Sequence, residues 1–271
     1  MMIISASRRT DIPTYYSDWF FNRINDGYVC VRNPMNIHQI SRVSLDPAVV
    51  DGIVFWTKNP IPMMEKLDML KAYTYYFQFT INPYGKDVEQ NIPNKETVVI
   101  PAFKDLSRRL GPERTIWRYD PILLTQKYSI EWHVQCFEYI AKELSGYTRK
   151  CVISFLDMYR NTQSNTKNLG LLPFEKVKML EIAQSFSKIA QKHGIVLESC
   201  SEVIDLGRYG ILHGHCIDCK LFEELLGCNL TLDKDKNQRE ECGCAASIDI
   251  GMYNTAKITV FIVMQIIARQ L

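Results

Sequence analysis

The stretch GIVFWTKNP at residues 52–60 contains the pattern on which the fold prediction depends. Its first six residues carry no charge and are rich in β-branched and aromatic side chains, which is typical of a strand buried on both faces of a parallel sheet. Lys58, Asn59 and Pro60 follow at once, and a residue before proline is held extended while Asn ties the turn through its side chain. The stretch therefore predicts a buried strand whose carboxyl end carries a cation.

The same pattern recurs along the chain and alternates with apolar residues at helical spacing, in residues 103–110, 132–144 and 174–190. We predict strands at residues 2–5, 28–32, 52–57, 75–81, 115–119, 151–156, 195–199 and near 209–213. Strands alternating with helices build an open doubly wound sheet or a closed barrel, and seven or eight units favour the barrel. The predicted fold is α/β, a TIM-like (β/α)-barrel, complete or partial, over residues 1–212, followed by a cysteine-rich appendage over residues 213–255.

The composition is that of a globular protein, with 46% hydrophobic residues in 271 and a formal net charge of +2. So small a charge gives no support for binding to nucleic acid or to an acidic membrane surface. No basic stretch precedes the first apolar residues, and no run of about 18 apolar residues occurs. We therefore expect a cytoplasmic protein with no membrane partner.

Charged and aromatic residues stand where the predicted strands end. In a parallel barrel these ends meet at one mouth, where barrel enzymes carry their chemistry. Guanidinium and ammonium groups there suit an anionic small substrate or cofactor, although a salt-bridge network that only seals the barrel is the alternative. The predicted catalytic residues are Asp120, Glu198 and Glu202, and the predicted substrate- or cofactor-binding residues are Arg8, Arg9, Asp11, Arg32, Trp56, Lys58, Asn59, Trp117, Arg118 and Asp157.

Nine cysteines in a chain without an export signal indicate reduced thiols rather than a disulfide framework. Six of them crowd between residues 200 and 244, in a CxxC pair and a CxC pair among others, and such pairs are raw material for zinc or an iron–sulfur cluster. His213 or His215 could complete a ligand set, and scattered free thiols are the alternative. The predicted metal ligands are Cys200, Cys216, Cys219, Cys242 and Cys244.

Five segments closely resemble domain-of-unknown-function family 1848. They are SASRRTDIP at residues 5–13, GIVFWTKNP at 52–60, ERTIWRYDPIL at 113–123, GHCID at 214–218 and NQREECGC at 237–244. The resemblance implies a barrel-like body and a C-terminal cysteine cluster similar to that of radical S-adenosylmethionine enzymes. It thus implies an iron–sulfur cluster and S-adenosylmethionine as cofactors, but no particular reaction.

The chain departs from this family after Thr255. The family continues into a CxxxCxYC motif, whereas residues 256–271 read AKITVFIVMQIIARQL and contain no cysteine. Codons read one base early can spell a CxxxCxxC motif here, so we hypothesise a frameshift that removed the cluster-binding cysteines. An authentic apolar tail packed on the barrel is the alternative, and resequencing the codons of residues 250–271 distinguishes the two.

Three functions therefore stand as predictions. The first is a radical S-adenosylmethionine-like enzyme body that acts on an unknown, anionic substrate and is inactive without its CxxxCxxC motif. The second is a metal-dependent barrel hydrolase or lyase with acid–base chemistry at the same mouth, using zinc or an auxiliary cluster. The third is a nucleic-acid repair or modification factor, against which the near-neutral charge argues. The sequence leaves the substrate and the oligomeric state open.

Overall fold

The computed structural model describes residues 2–33, 36–157, 166–200, 202–231, 233–236 and 242–251. Within these ranges the strands are β1 (Ile3–Ala6), β2 (Tyr28–Asn33), β3 (Asn36–Ser44), β4 (Gly52–Thr57), β5 (Tyr75–Thr80), β6 (Thr115–Ile122), β7 (Lys150–Phe155), β8 (Val196–Ser199), β9 (Leu212–His213) and β10 (Ile248–Asp249). The α-helices are α1 (Ile12–Tyr15), α2 (Ser17–Asp26), α3 (Ile61–Met64), α4 (Ile100–Leu110), α5 (Ile130–Leu144), α6 (Lys176–Lys192) and α7 (Cys219–Leu226).

Eight strands form one sheet in the order β10-β1-β4-β5-β6-β7-β8-β9, and every pair in it is parallel. The predicted α/β class with a parallel sheet is confirmed. In the described part of the chain β9 and β10 are the two edges of this sheet, so closure into a barrel stays a prediction. The sequence did not indicate β10, which the cysteine-rich segment supplies beside β1.

The prediction of a barrel strand at residues 28–32 is wrong. Here β2 pairs antiparallel with β3 in a separate two-stranded sheet, because the chain after Asn33 returns as a second strand rather than as a helix. Val29 and Val43 are the buried residues of this hairpin, while Arg32 is exposed. Arg32 therefore does not stand at the edge where the parallel strands end.

One face of the parallel sheet packs against the helices. Successive strand residues point to opposite faces, and those on this face meet aromatic side chains of the helix layer. The ring of Phe55 lies 5.3 Å from that of Phe20 in α2, and Phe79 lies 5.1 Å from Phe103 in α4. This core fixes the register of the strands, since a slip of one residue would move it to the other face.

The opposite face of the sheet is covered by the cysteine-rich segment. Buried strand residues on this face form a second apolar cluster with residues 216–222 and 242–245. Gly52 in β4 makes the packing possible, because a Cβ there would overlap the ring of Phe222. The residues of the strand face are Ile3, Val54, Trp56, Tyr76, Ile116 and Val152.

The segment is thus part of the core of the sheet. The division into residues 1–212 and 213–255 stays a prediction, and the tail at 256–271 lies outside the described residues.

Candidate cysteine and arginine site

Four cysteines meet at the carboxyl-end edge of the sheet, and we call them the cysteine cluster: Cys200, Cys216, Cys242 and Cys244. Cys200 follows β8, Cys216 follows β9, and the other two precede β10. The sulfurs of Cys200 and Cys216 are 3.2 Å apart. The Cys216 amide donates to the Cys244 sulfur at 3.1 Å, and the Cys244 thiol is hydrogen-bonded to those of Cys216 and Cys242.

The backbone of Cys216 is held by the face of the sheet that the cysteine-rich segment covers. Its carbonyl oxygen accepts hydrogen bonds from the Tyr76 hydroxyl at 2.7 Å and from the Gln78 amide at 3.1 Å. Gly243, between the two cysteines of the CxC pair, lies against the ring of His215, where a Cβ would overlap it. A side chain at position 243 would therefore have to displace the exposed ring of His215.

A fully buried arginine joins the cluster to a carboxylate. Arg118 in β6 places Nη1 2.9 Å from the Cys216 sulfur, and its Nε donates to Asp120 at 3.0 and 3.1 Å. Burial alone would lower the pKa of Arg118, but Asp120 and the thiols of Cys216 and Cys200 raise it well above its usual value. Hydrogen bonds with Cys200 and Cys244, together with Arg118, hold the pKa of Cys216 well below its usual value, although burial opposes them.

A second buried arginine, Arg8, follows β1 on the same side. Its guanidinium lies 5.5 Å from the centre of the Trp56 ring and 3.4 Å from Asp235. Burial would lower the pKa of Arg8, yet Cys244, Cys216 and Asp235 raise it. Among the described residues, Nε and Nη2 of this side chain and Nε1 of Trp56 have no hydrogen-bond partner.

The model of one protein family, described as Domain of unknown function (DUF1848), matches residues 3–259. The chain belongs to this family. The resemblance predicted from its five segments is confirmed, and the match includes the whole cysteine cluster of the DUF1848 chain. No curated protein matches it.

A solved structure from Bacteroides thetaiotaomicron VPI-5482, named a "putative alpha-L-fucosidase", is similar over 60% of this DUF1848 chain and 68% of its own. The two share 11% identity with a TM-score of 0.27, which is too low to support an inference about fold or function. Within the described residues, no helix of the DUF1848 chain has the length and apolar character needed to cross a bilayer.

Two predicted site residues of the DUF1848 chain, Lys58 and Asp11, belong to a separate network. The buried ammonium of Lys58 pairs with Glu89, which also binds Lys95 at 2.8 Å. Lys58 and Lys95 lower the pKa of Glu89 against the effect of burial. Asp11 accepts the amides of Lys58 at 2.8 Å and of Thr14 at 3.0 Å, and burial raises its pKa. Around Lys58 and Asp11 the arrangement therefore fits a sealing salt-bridge network rather than an open substrate pocket.

Glu89 and Lys95 were missed by the sequence reasoning because they lie in the connection after β5, away from any strand end. No motif marks them.

Trp117 lies in the core between the sheet and the helices. Its ring stacks on Phe137 of α5 at 4.8 Å, and its Nε1 donates to the Ile81 carbonyl at 3.1 Å, so it faces the helices. In Trp-Arg-Tyr-Asp the tryptophan and Tyr119 share the helix face, which leaves Arg118 on the opposite face with the cysteines. The sequence did not show which face was which.

The remaining predicted residues are held by local contacts. Glu198 pairs with Lys150 at 2.8 Å, and burial raises its pKa. Glu202 accepts the Phe155 amide at 2.7 Å, and Asn59 accepts the Ile61 amide at 3.3 Å. Arg9 follows β1 and Asp157 follows β7, while Cys219 begins α7 with its sulfur 3.8 Å from the Leu230 carbonyl. Their functional roles stay predictions.

The spacing of the cysteine cluster differs from that of a loaded metal site. Within the described residues, no three His, Cys, Asp or Glu side chains stand as a bound metal would hold them. Four sulfurs bound to one zinc ion at about 2.3 Å would be about 3.8 Å from one another. The sulfurs of Cys200 and Cys216 are 3.2 Å apart, which is closer than that. For this pair, a single zinc ion would require the two sulfurs to separate by about half an ångström.

Proposed function

We propose that this chain is the body of an enzyme that binds a small anionic substrate at the carboxyl ends of its parallel strands, beside a metal centre held by the cysteine cluster. The observation that carries the proposal is the double contact of Arg118, with the Cys216 sulfur at 2.9 Å and with the carboxylate of Asp120. A guanidinium that donates to both groups favours their charged forms. Thiolates are the form in which cysteine binds metals.

The proposed binding of an anionic substrate depends on Arg8. A guanidinium with unpartnered buried donors is costly unless a ligand or neighbouring segment satisfies it. An oxyanion such as a carboxylate or phosphate matches the planar fork of arginine, and the Trp56 Nε1 adds a neutral donor nearby. We assign the role of proton acceptor to Asp120, because Arg118 pairs with its carboxylate and favours the charged form.

The radical reaction that the resemblance implies is not assigned to this polypeptide. That chemistry needs three thiolates in a CxxxCxxC motif, and residues 245–271 contain no cysteine. The cysteine cluster does not replace the motif, because its members come from three separate segments. A frame-corrected chain is the material in which the radical proposal can be tested, by its absorbance near 400 nm after anaerobic iron–sulfur reconstitution.

Metal analysis tests the metal end of the proposal. The full chain is purified without oxygen, and iron and zinc are measured in the wild type, Cys216→Ser, Cys244→Ser and Cys228→Ser. Cys228 is an exposed cysteine outside the cluster and serves as the control. We expect metal in the wild type and the control, and a loss of about tenfold or more in the other two. A wild type without iron or zinc, or an equal loss in the control, contradicts the proposal.

Anion binding tests the substrate end. Inorganic phosphate is titrated while tryptophan fluorescence and thermal stability are followed in the wild type, Arg8→Gln and Arg149→Gln. Arg149 is an exposed arginine paired with Glu113 and serves as the matched control. We expect saturable stabilisation that Arg8→Gln alone abolishes. The same response in all three proteins would remove Arg8 from the proposed pocket.

A further inference from the structure

We infer that the cysteine cluster binds a single metal ion, zinc or another divalent ion that accepts four thiolates, in a closed tetrahedral site and not a four-iron cube. This inference rests on the proposed metal centre and states what that centre is. Nothing in the family description assigns a metal to Cys200, Cys216, Cys242 and Cys244.

The first argument is the spacing of the sulfurs. The four form a continuous set of direct contacts, from Cys200 through Cys216 and Cys244 to Cys242. One ion places all its sulfurs on edges of about 3.8 Å, close to such contacts. A four-iron cube instead gives each cysteine its own iron at a separate corner, which holds the sulfurs much farther apart. The one sulfur–sulfur distance between neighbours in this set, 3.2 Å between Cys200 and Cys216, is nearer to the edge of a single-ion site than to the separation in a cube.

The second argument is the surroundings of the sulfurs. The Cys216 sulfur faces the Arg118 Nη1 at 2.9 Å, and the Cys244 sulfur accepts the Cys216 amide at 3.1 Å. Donors directed at sulfur are what a metal-bound thiolate uses as its outer shell. Burial adds a reason for an ion, since Cys216, Cys242 and Cys244 are 4%, 3% and 2% exposed. A bound cation would neutralise part of the negative charge of the thiolates, which water cannot reach.

The third argument is the number of ligands and where they come from. Four thiolates fill a tetrahedral ion and leave no position for substrate, which is the arrangement of structural zinc sites. The ligands follow β8, follow β9 and precede β10, so one ion ties both edges of the sheet and the loop between them. The metal therefore holds Arg118 and Asp120 in place, and substrate chemistry takes place beside it rather than on it.

Cobalt substitution distinguishes this centre from a cluster. Apo protein, full length and handled without oxygen, is titrated with Co²⁺ alone, and zinc, iron and acid-labile sulfide are measured in protein as purified. We expect about one metal ion per chain, no sulfide, and the visible bands of tetrahedral cobalt thiolate. Each of Cys200→Ser, Cys216→Ser, Cys242→Ser and Cys244→Ser should weaken Co²⁺ binding at least tenfold, whereas Cys228→Ser should not.

Each other result overturns a defined claim. Several irons with equal sulfide per chain, after anaerobic reconstitution, overturn the single-ion site while leaving the proposed metal enzyme standing. A requirement for Cys219 in place of one of the four overturns the ligand set. Neither cobalt, zinc nor iron binding in the folded wild type overturns both proposals, and circular dichroism of each variant shows whether it has folded.

Discussion

The hydroxyl of Tyr76 donates to the carbonyl oxygen of Cys216 at 2.7 Å, and this joins the middle of the parallel sheet to the cysteine cluster. The same hydroxyl accepts the Asp218 amide at 2.9 Å. Tyr76 is fully buried, and burial raises its pKa well above the usual value, so it stays neutral and can both donate and accept. One side chain of β5 thus sets the position of the loop that carries Cys216.

Tyr76→Phe should destabilise the fold by about 1–3 kcal/mol, because the Asp218 amide would be left buried without its partner. Gln78 still donates to the Cys216 carbonyl oxygen, so that oxygen keeps a hydrogen-bond partner. Urea unfolding measures the change. Tyr139→Phe on a tyrosine that is 43% exposed should stay within about 0.5 kcal/mol, and equal losses in both variants would show that the Tyr76 hydroxyl does not fix the loop.

Gly52→Ala should cost about 1–3 kcal/mol, since the added methyl overlaps the buried ring of Phe222. The double variant with Phe222→Leu tests the mechanism, because removing the ring makes room for the methyl. We expect the double variant to lose less than the sum of the single losses in thermal unfolding. Additive losses would mean that the two side chains do not compete for one space.

Arg118→Gln should reduce metal affinity by about 10- to 100-fold, the usual loss when an outer-shell partner of a metal ligand is removed. It should also destabilise the apo protein, because the Asp120 carboxylate, 11% exposed, would lose the guanidinium that pairs with it. Competition with a coloured chelator measures the affinity, and Arg149→Gln is the control. Unchanged affinity in a folded Arg118→Gln protein would separate the arginine from the metal centre.

Stability should fall as the pH drops from 6.5 toward 5 because of His133. Burial lowers the pKa of this histidine to about 4, and its ring nitrogens lie 2.7 Å from the Tyr119 hydroxyl and 2.8 Å from the Leu123 carbonyl. The unfolded chain binds a proton near pH 6.5 while the folded one does not, so its contribution is complete above pH 6.5 and is lost toward pH 4.

The expected loss between pH 6.5 and pH 5 is about 2 kcal/mol, at about 1.4 kcal/mol for each pH unit. Urea unfolding of the wild type and of His133→Phe measures the slope against pH. The variant should show a flatter slope, whatever its absolute stability. Parallel slopes would contradict the assignment.

The sequence predicted the parallel sheet well because its strands obey local rules. Residues 52–57 are an uncharged run closed by a polar turn, and β4 lies where those rules put it. The prediction failed for the hairpin of β2 and β3 because a strand of a hairpin has the same local pattern as a strand of a parallel sheet. Only the segment that follows the strand decides which strand it pairs with. β10 failed because it has two residues, too few for a pattern.

The candidate site was predictable in kind but not in membership. Clustered cysteine pairs indicated a metal, and Cys200, Cys216, Cys242 and Cys244 do meet. Which residues of β6 face the cysteines depends on the pleat of the strand, and the sequence pattern does not give it when residues 115–119 are all buried. The contact of Arg118 with Cys216 joins residues 98 positions apart, which no local rule can supply.

The pairing of β1 with β10 has a consequence for folding. Ser5 and Asp249 are paired although they lie 244 positions apart in the chain. Contacts between residues so distant in sequence form slowly, because closing the loop between them costs chain entropy before the contacts offset it. Until β10 docks, the backbone amides and carbonyls on one side of β1 face an open edge, and such edges invite pairing with other chains. Aggregation during refolding should therefore compete with the docking of β10, and more strongly at high protein concentration.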